Sequence, residues 1–188
     1  LEFNMIRKHI KIEPARWYMH CDREGILVWQ DLPSPNLPSG YEDYAKKNFE
    51  DESKRIITAF RNHPSIIQWV VFNEGWGQFD TERMTQIVIG EVGQSLVCCA
   101  SGWVDAPIGD IKDSHSYPNP SCPLDETRAG VCGEYGGITL KVQGHIWPGG
   151  DFQYTTVETG KDFTVLFNNL ADKVIDHYYY GLNAAVYT

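Results

Sequence analysis

The chain of 188 residues is 42% apolar and 13% aromatic, which is typical of a globular protein and not of a disordered one. Its formal net charge of −9 and the lack of a basic patch argue against nucleic acid as a partner. No apolar run approaches the roughly 18 residues of a membrane helix, so we expect no membrane partner. Five cysteines without metal-binding spacing predict free thiols, so a reduced compartment and secretion without disulfides both stay open as localisations.

Short apolar runs alternate with longer amphipathic stretches along the chain, which is the pattern of parallel βα units. The first predicted helix has Pro14 in its first turn and ends at Gly25, and the second ends at Pro64. We find no internal repeat and no interdomain linker, so residues 1–188 are predicted to form a single domain. The predicted helices are 13–25, 45–64, 80–93 and 162–181, and the predicted strands are 3–7, 26–31, 65–74, 95–102, 111–117, 129–137 and 182–188.

Two of these strands carry a carboxylate near their carboxyl ends. The strand at 65–74 is apolar almost throughout and then ends on Asn73 and Glu74, and the strand at 129–137 carries Glu134. Continuously apolar strands are typical of parallel barrels and doubly wound sheets, in which both faces are covered and functional residues collect where the strands end. A Glu after a strand is more often a solvated loop residue, so the prediction depends on the combination of the two.

Paired carboxylates at the mouth of a barrel suit the hydrolysis of glycosidic bonds. One acts as general acid on the leaving oxygen, and the other stabilises or captures the oxocarbenium-like centre. In the retaining form of the reaction the two carboxyl groups stand about 5 to 5.5 Å apart, and we expect that separation between Glu74 and Glu134.

Four stretches carry a resemblance to a known family: "NHPSIIQWVVFNEGWGQ", "SGW", "SHSYP" and "GEYGG". Together they resemble the catalytic domain of glycoside hydrolase family 2, which includes β-galactosidases, β-glucuronidases and β-mannosidases. The resemblance implies an α/β fold, a (β/α)8 TIM barrel that is incomplete here, with about strands two to eight present. It also implies retaining, exo-acting hydrolysis at a non-reducing terminal sugar, most closely of the β-galactosidase kind.

The resemblance also implies residue roles. Glu74 matches the general acid/base, Glu134 the nucleophile, and Asn73 the residue that bonds the sugar 2-hydroxyl. Tyr117 resembles the tyrosine that hydrogen-bonds the nucleophile, and His115, two residues earlier, would share its face of the strand.

Three further candidates lie at the ends of the first two strands. Arg7 matches an arginine of the family. His9 follows it by two residues, where the commoner spacing is three, so sugar binding and a core or loop histidine are both open. Asp31 is either an acidic sugar-binding residue or a cap for the following loop.

Three tryptophans in or beside loops that follow strands are candidates for stacking on sugar faces, although a Trp is more often part of a core. They are Trp76, Trp103 and Trp147. His20 and His63 are interpreted as structural.

Two other functions stay open: an endo-acting polysaccharide hydrolase on the same barrel, and a truncated, catalytically silent fragment that binds carbohydrate. The expected partners are a carbohydrate substrate and the remainder of a longer polypeptide with the first barrel strand and the family's N-terminal β-sandwich domains. Without that strand we expect the segment alone to be inactive or prone to aggregation. No cofactor is expected to be required and no metal ligands are predicted, while a divalent or sodium ion at the sugar site is left open.

Overall fold

The computed structural model describes residues 2–35, 42–146 and 154–188, and the chain divides into two compact units, Leu1–Asp113 and Ser114–Thr188. The first unit contains β1 (Met5–Lys8), α1 (Ala15–Glu24), β2 (Leu27–Asp31), α2 (Asp43–Phe60), β3 (Ile66–Asn73), α3 (Thr81–Val92) and β4 (Leu96–Ser101). Strand β5 (Ile111–Ser116) runs across the boundary. The second unit contains β6 (Ala129–Tyr135), β7 (Ile138–Leu140), β8 (Thr155–Val157), α4 (Gly160–Tyr179) and β9 (Ala184–Tyr187).

The sheet of the first unit has the order β1-β2-β3-β4, and each neighbouring pair is parallel. Four consecutive side chains of β3, from Trp69 to Phe72, are fully buried. The core that contains Trp69, Val71 and Phe72 also includes side chains from each of the three helices. Both faces of the central strand are therefore covered, which explains why its sequence is continuously apolar and does not alternate.

The second unit contains two small sheets. Strand β6 lies between β5 and β9 and is parallel to β9, and β7 pairs with β8 in parallel. Its core consists of Cys132, Tyr135, Leu170 and Leu182. Helix α4 begins at a Thr159 cap, whose hydroxyl accepts the Asp162 backbone N–H at 3.1 Å.

The predicted α/β class, the seven strands and the four helices are confirmed, with ends that shift by a few residues. Helix α1 ends where predicted, because Gly25 adopts the left-handed conformation at φ 73°. Strands β7 and β8 were not predicted, since three residues are too few to show a period. The strands of the described residues form three open sheets and no closed barrel among themselves.

The predictions about the cysteines and about membrane-spanning segments can be compared with the structure. All five cysteines are free thiols, as predicted. In the three described ranges, no helix is long and apolar enough to cross a membrane.

Candidate active site

Polar side chains occupy the carboxyl ends of all four parallel strands of the first unit. Asp31, Asn73 and Ser101 are the last residues of β2, β3 and β4, and Arg7 is the penultimate residue of β1. Because the strands are parallel, these ends meet at one edge of the sheet. Three of the four were predicted as site residues, and Ser101 was not.

Arg7 and Asp31 form a buried, two-point ion pair. Arg7 Nε donates to Asp31 Oδ1 at 3.1 Å, and Arg7 Nη2 donates to Asp31 Oδ2 at 2.8 Å. The Ile10 backbone N–H donates to the same Oδ2 at 3.2 Å. The Asp31 carboxylate thus holds Arg7 and the turn after β1, and its binding of a sugar stays a prediction.

The same guanidinium sets the orientation of Asn73. Arg7 Nη2 donates to Asn73 Oδ1 at 2.8 Å. Since a guanidinium has only donors, the amide atom that faces it must be the oxygen. The Asn73 amide nitrogen therefore points the other way, as a donor for a ligand's hydroxyl or other acceptor.

Glu74 follows β3 in a strained backbone conformation. Its φ is 56°, in the left-handed region that costs a non-glycine residue about 1–2 kcal/mol. The Glu74 N–H donates to Ser101 O at 2.9 Å, which ties the residue to the end of β4. Gly75 continues the turn at φ 78°, where a Cβ would come within 2.7 Å of Val104 Cγ2. Strain that is stabilised by neighbouring strands is common at functional sites.

Glu74 lines a small pocket of about 90 Å³ within the first unit. The structure brings His9, Asn73 and Trp76 to it, all of them predicted, and adds Ile10 and Ser34, for which the sequence contained no signal. His9 lies in the turn directly after β1 and is exposed, so it is not a core histidine. The Trp76 side chain is 43% exposed, which leaves its ring accessible for stacking.

Within the second unit, Tyr117 and His115 contact Glu134. The Tyr117 hydroxyl donates a short hydrogen bond to Glu134 Oε2. His115 Nδ1 lies 3.6 Å from the same oxygen, with the histidine side chain fully buried and the glutamate side chain 12% exposed. The sequence placed these three residues together through the resemblance and the two-residue period of β5.

The surroundings keep Tyr117 protonated. Burial raises the pKa of Tyr117 above its ordinary value, and the hydrogen bond to the Glu134 carboxylate raises the pKa further. The phenol therefore acts as a hydrogen-bond donor to the carboxylate throughout the neutral range, and not as an acid or base.

Two tryptophans and a histidine complete the residues singled out from the sequence. Trp103 lies in the loop after β4 and is 50% exposed. Trp147 lies outside the described residues. His63 Nδ1 is 2.6 Å from Asp22 Oδ2 beneath the first sheet, which agrees with its interpretation as structural.

Two polar residues were missed by the sequence analysis. The Ser101 hydroxyl donates a short hydrogen bond to the buried carboxylate of Asp113. Asp113 alternates with His115 on the buried side of β5, so the two-residue period would have identified it.

Curated relatives match part of the chain, while no family model matches it. The chain is 36% identical over 75 residues to a protein of Formosa agariphila described as a β-glucuronidase, and 32% identical over 75 residues to β-mannosidase B of Emericella nidulans. It is 27% identical over 124 residues to the β-galactosidase large subunit of Lactobacillus acidophilus. These matches cover 38%, 39% and 55% of the chain, but only 7%, 9% and 19% of the relatives.

Solved structures resemble the chain over nearly its whole length. The glycoside hydrolase family 2 β-galacturonidase of Eisenbergiella tayi matches with a TM-score of 0.69 at 15% identity, over 98% of the chain and 37% of that enzyme. The β-glucuronidase of Ruminococcus gnavus matches with a TM-score of 0.70 at 15% identity, over 98% of the chain and 38% of that enzyme. At such low identity the similarity establishes the fold alone.

These relatives and neighbours are O-glycosyl hydrolases. The chain is related to the enzymes of glycoside hydrolase family 2, of which it matches only a part.

Proposed function

We propose that this chain is part of the catalytic barrel of a retaining, exo-acting β-glycosidase with Glu134 as nucleophile and Glu74 as general acid/base. The observation that carries the proposal is the environment of Glu134, whose carboxylate accepts a hydrogen bond from Tyr117 and lies beside the buried His115. A carboxylate near a strand end that is oriented by two other side chains is suited to attack a carbon centre.

The location of Glu74 supports its role as acid/base. Its side chain is half-buried and lines a pocket, so it can meet both a leaving group and an incoming water. In the first step a Glu134 oxygen bonds to the anomeric carbon, the bond to the leaving oxygen breaks, and Glu74 donates its proton to that oxygen. In the second step Glu74 takes a proton from water, the water oxygen bonds to the anomeric carbon, and Glu134 is released.

The charge of the pocket favours a neutral sugar. Among the described residues that line the pocket there is no Lys or Arg, and the nearby Arg7 is bound to Asp31 and Asn73. A uronic acid would bring a carboxylate into a pocket whose described lining has no Lys or Arg to pair with it. We therefore propose a β-galactosidase-like activity, as in the Lactobacillus acidophilus relative.

The exo-acting part of the proposal follows from the resemblance to glycoside hydrolase family 2. The pocket volume of about 90 Å³ is far below the roughly 300–1,000 Å³ of typical ligand clefts, so this pocket can enclose only part of a sugar ring.

The proposal can be tested with a panel of nitrophenyl glycosides and a mechanism-based probe, applied, as in all the activity measurements below, to the longer polypeptide that contains this chain. We expect kcat/KM to be highest for the β-galactoside, and we expect a 2-deoxy-2-fluoro-β-galactoside with a good leaving group to label the peptide that contains Glu134. Glu134→Gln is the control and should not be labelled. A product with inverted anomeric configuration, or a label on another carboxylate, would contradict the mechanism, and preference for a glucuronide would contradict the choice of sugar.

A further inference from the structure

The Tyr117 ring is covered on one face by a second tyrosine of the same unit. The rings of Tyr117 and Tyr154 are parallel within 3°, with centroids 3.6 Å apart. Tyr154 directly precedes β8, and its side chain is 46% exposed.

The neighbouring backbone makes room for this stack. Gly137 has φ 62°, and a Cβ at that position would lie 2.5 Å from Tyr154 Cδ2 and 3.1 Å from Tyr154 Cβ. Gly137 also donates its N–H to Thr188 O at 2.9 Å, which fixes the turn after Glu134. The last glycine of "GEYGG" thus allows Tyr154 to approach, and any other residue would displace it.

We propose that Tyr154 is a positioning residue that acts through Tyr117 on the Glu134 carboxylate. The inference rests on the proposed role of Glu134 as nucleophile. The Tyr117 hydroxyl oxygen lies on the axis of the Cβ–Cγ bond, so rotation of the ring about that bond leaves the oxygen in place, and only rotation about the Cα–Cβ bond carries it away from its acceptor. With Tyr154 against its face, the Tyr117 ring is hindered from this second movement, and the hydroxyl stays within reach of Glu134 Oε2.

The proposed positioning role depends on the flat ring of Tyr154 and not on its hydroxyl group. Loss of the ring should alter the alignment of the nucleophile in the transition state more than the binding of the ground state, and so lower kcat more than it changes KM.

The first experiment compares Tyr154→Ala with Tyr154→Phe in the glycosidase assay and in the labelling of Glu134. We expect Tyr154→Ala to lower kcat and the labelling rate by about tenfold to a hundredfold, and Tyr154→Phe to retain them within about threefold. Tyr179→Ala is the matched control, since it truncates an exposed tyrosine on α4 of the same unit. Equal loss in the Ala and Phe variants, or loss in neither, would overturn the inference.

A second readout does not depend on activity. A 3-fluorotyrosine placed at position 117 reports the stacked ring through its ¹⁹F resonance, which should shift in Tyr154→Ala and stay in place in Tyr154→Phe. Gly137→Ala, which pushes the Tyr154 ring away without removing it, should shift the resonance in the same way as Tyr154→Ala. An unchanged resonance in Tyr154→Ala would overturn the stacking on which the inference depends.

The two proposals fail in different ways. Absence of a label on Glu134 in the wild-type protein would contradict the proposed function, and with it the role of Tyr154. A labelled wild-type protein and an equally labelled Tyr154→Ala variant would contradict only the positioning role.

Discussion

Arg7 and Asp31 pair through two hydrogen bonds, at 3.1 and 2.8 Å, with only 3% and 1% of their side chains exposed. The pair joins the ends of β1 and β2, and Arg7 continues to Asn73 at the end of β3. One carboxylate thereby orders three strand ends next to the pocket. Removal of one partner would leave the other charge buried and uncompensated.

We predict that Asp31→Ala lowers the free energy of unfolding by about 3–5 kcal/mol. The exposed pair Lys47–Asp51 on α2 is the control, and Asp51→Ala should cost less than about 1 kcal/mol. The double variant Arg7→Met with Asp31→Leu should recover much of the loss, because no buried charge is then left unpaired. Urea unfolding measures all three, and a similar loss in the Asp31 and Asp51 variants would contradict the prediction.

The orientation of Asn73 predicts the effect of Asn73→Asp. The variant keeps an oxygen toward Arg7 but replaces the amide donor by a second oxygen. If that donor binds the sugar 2-hydroxyl, kcat/KM should fall by about a hundredfold for the full glycoside and much less for its 2-deoxy analogue. The measurement is the ratio of the kcat/KM values for the two substrates. An equal fall of kcat/KM for both substrates would show that the Asn73 amide donor does not bind the 2-hydroxyl.

The strained backbone of Glu74 leads to a prediction about the stability of two variants that lack its carboxylate. At φ 56° a glycine is unstrained, so Glu74→Gly should raise the free energy of unfolding by about 1 kcal/mol relative to Glu74→Ala, while both variants lose the hydrolysis of glycosides with poor leaving groups. Alanine is the matched control, since it also lacks the carboxylate but retains the Cβ. Equal stability of the two variants in urea would argue that the turn relaxes without strain.

The proposed acid/base role predicts chemical rescue of Glu74→Ala. Without a base, water attacks the glycosyl-enzyme slowly, but azide needs no proton removed and can attack directly. We expect added azide to raise the turnover of an activated aryl glycoside by at least about tenfold, with a glycosyl azide of retained configuration as product. Rescue confined to a Glu134 variant, with inverted product, would mean that the two carboxylates have exchanged roles.

Asp22 predicts how stability depends on pH. Burial raises the pKa of Asp22, but hydrogen bonds from Ser65 and His63 outweigh it and hold the pKa below its ordinary value of 3.8. A carboxyl group whose pKa is lower in the folded state than in the unfolded state stabilises the fold when the pH is above its unfolded-state pKa. This stabilisation is lost as the pH falls through the pKa of the folded state. Asp22→Asn should therefore be less stable by about 1–3 kcal/mol at pH 7 and should approach the wild type below pH 4.

Thermal unfolding between pH 7 and pH 3 measures this difference. The control is Asp172→Asn on the exposed side of α4, for which we expect no comparable change. A stability difference between Asp22→Asn and wild type that stays constant over this range would show that ionisation of Asp22 does not contribute.

The α/β class, the order of the elements and the two carboxylates near strand ends could all be predicted from the amino-acid sequence. These features depend on neighbouring residues: a continuously apolar run ends at Asn73, and Gly25 ends a helix because its backbone is free to turn. Such signals lie within one element, so they can be detected from a short window of sequence.

Which side chains contact one another near the strand ends became visible in the folded structure alone. Arg7 is bound to residues 24 and 66 positions away, and these partners follow from the parallel register of three strands, which no local pattern encodes. The use of Asp31 as a support for Arg7, and the stacking of Tyr154 on Tyr117, depend on that kind of long-range placement. The position of candidate site residues near strand ends is therefore predictable from sequence, whereas the contacts that orient each side chain are set by how the strands and loops pack.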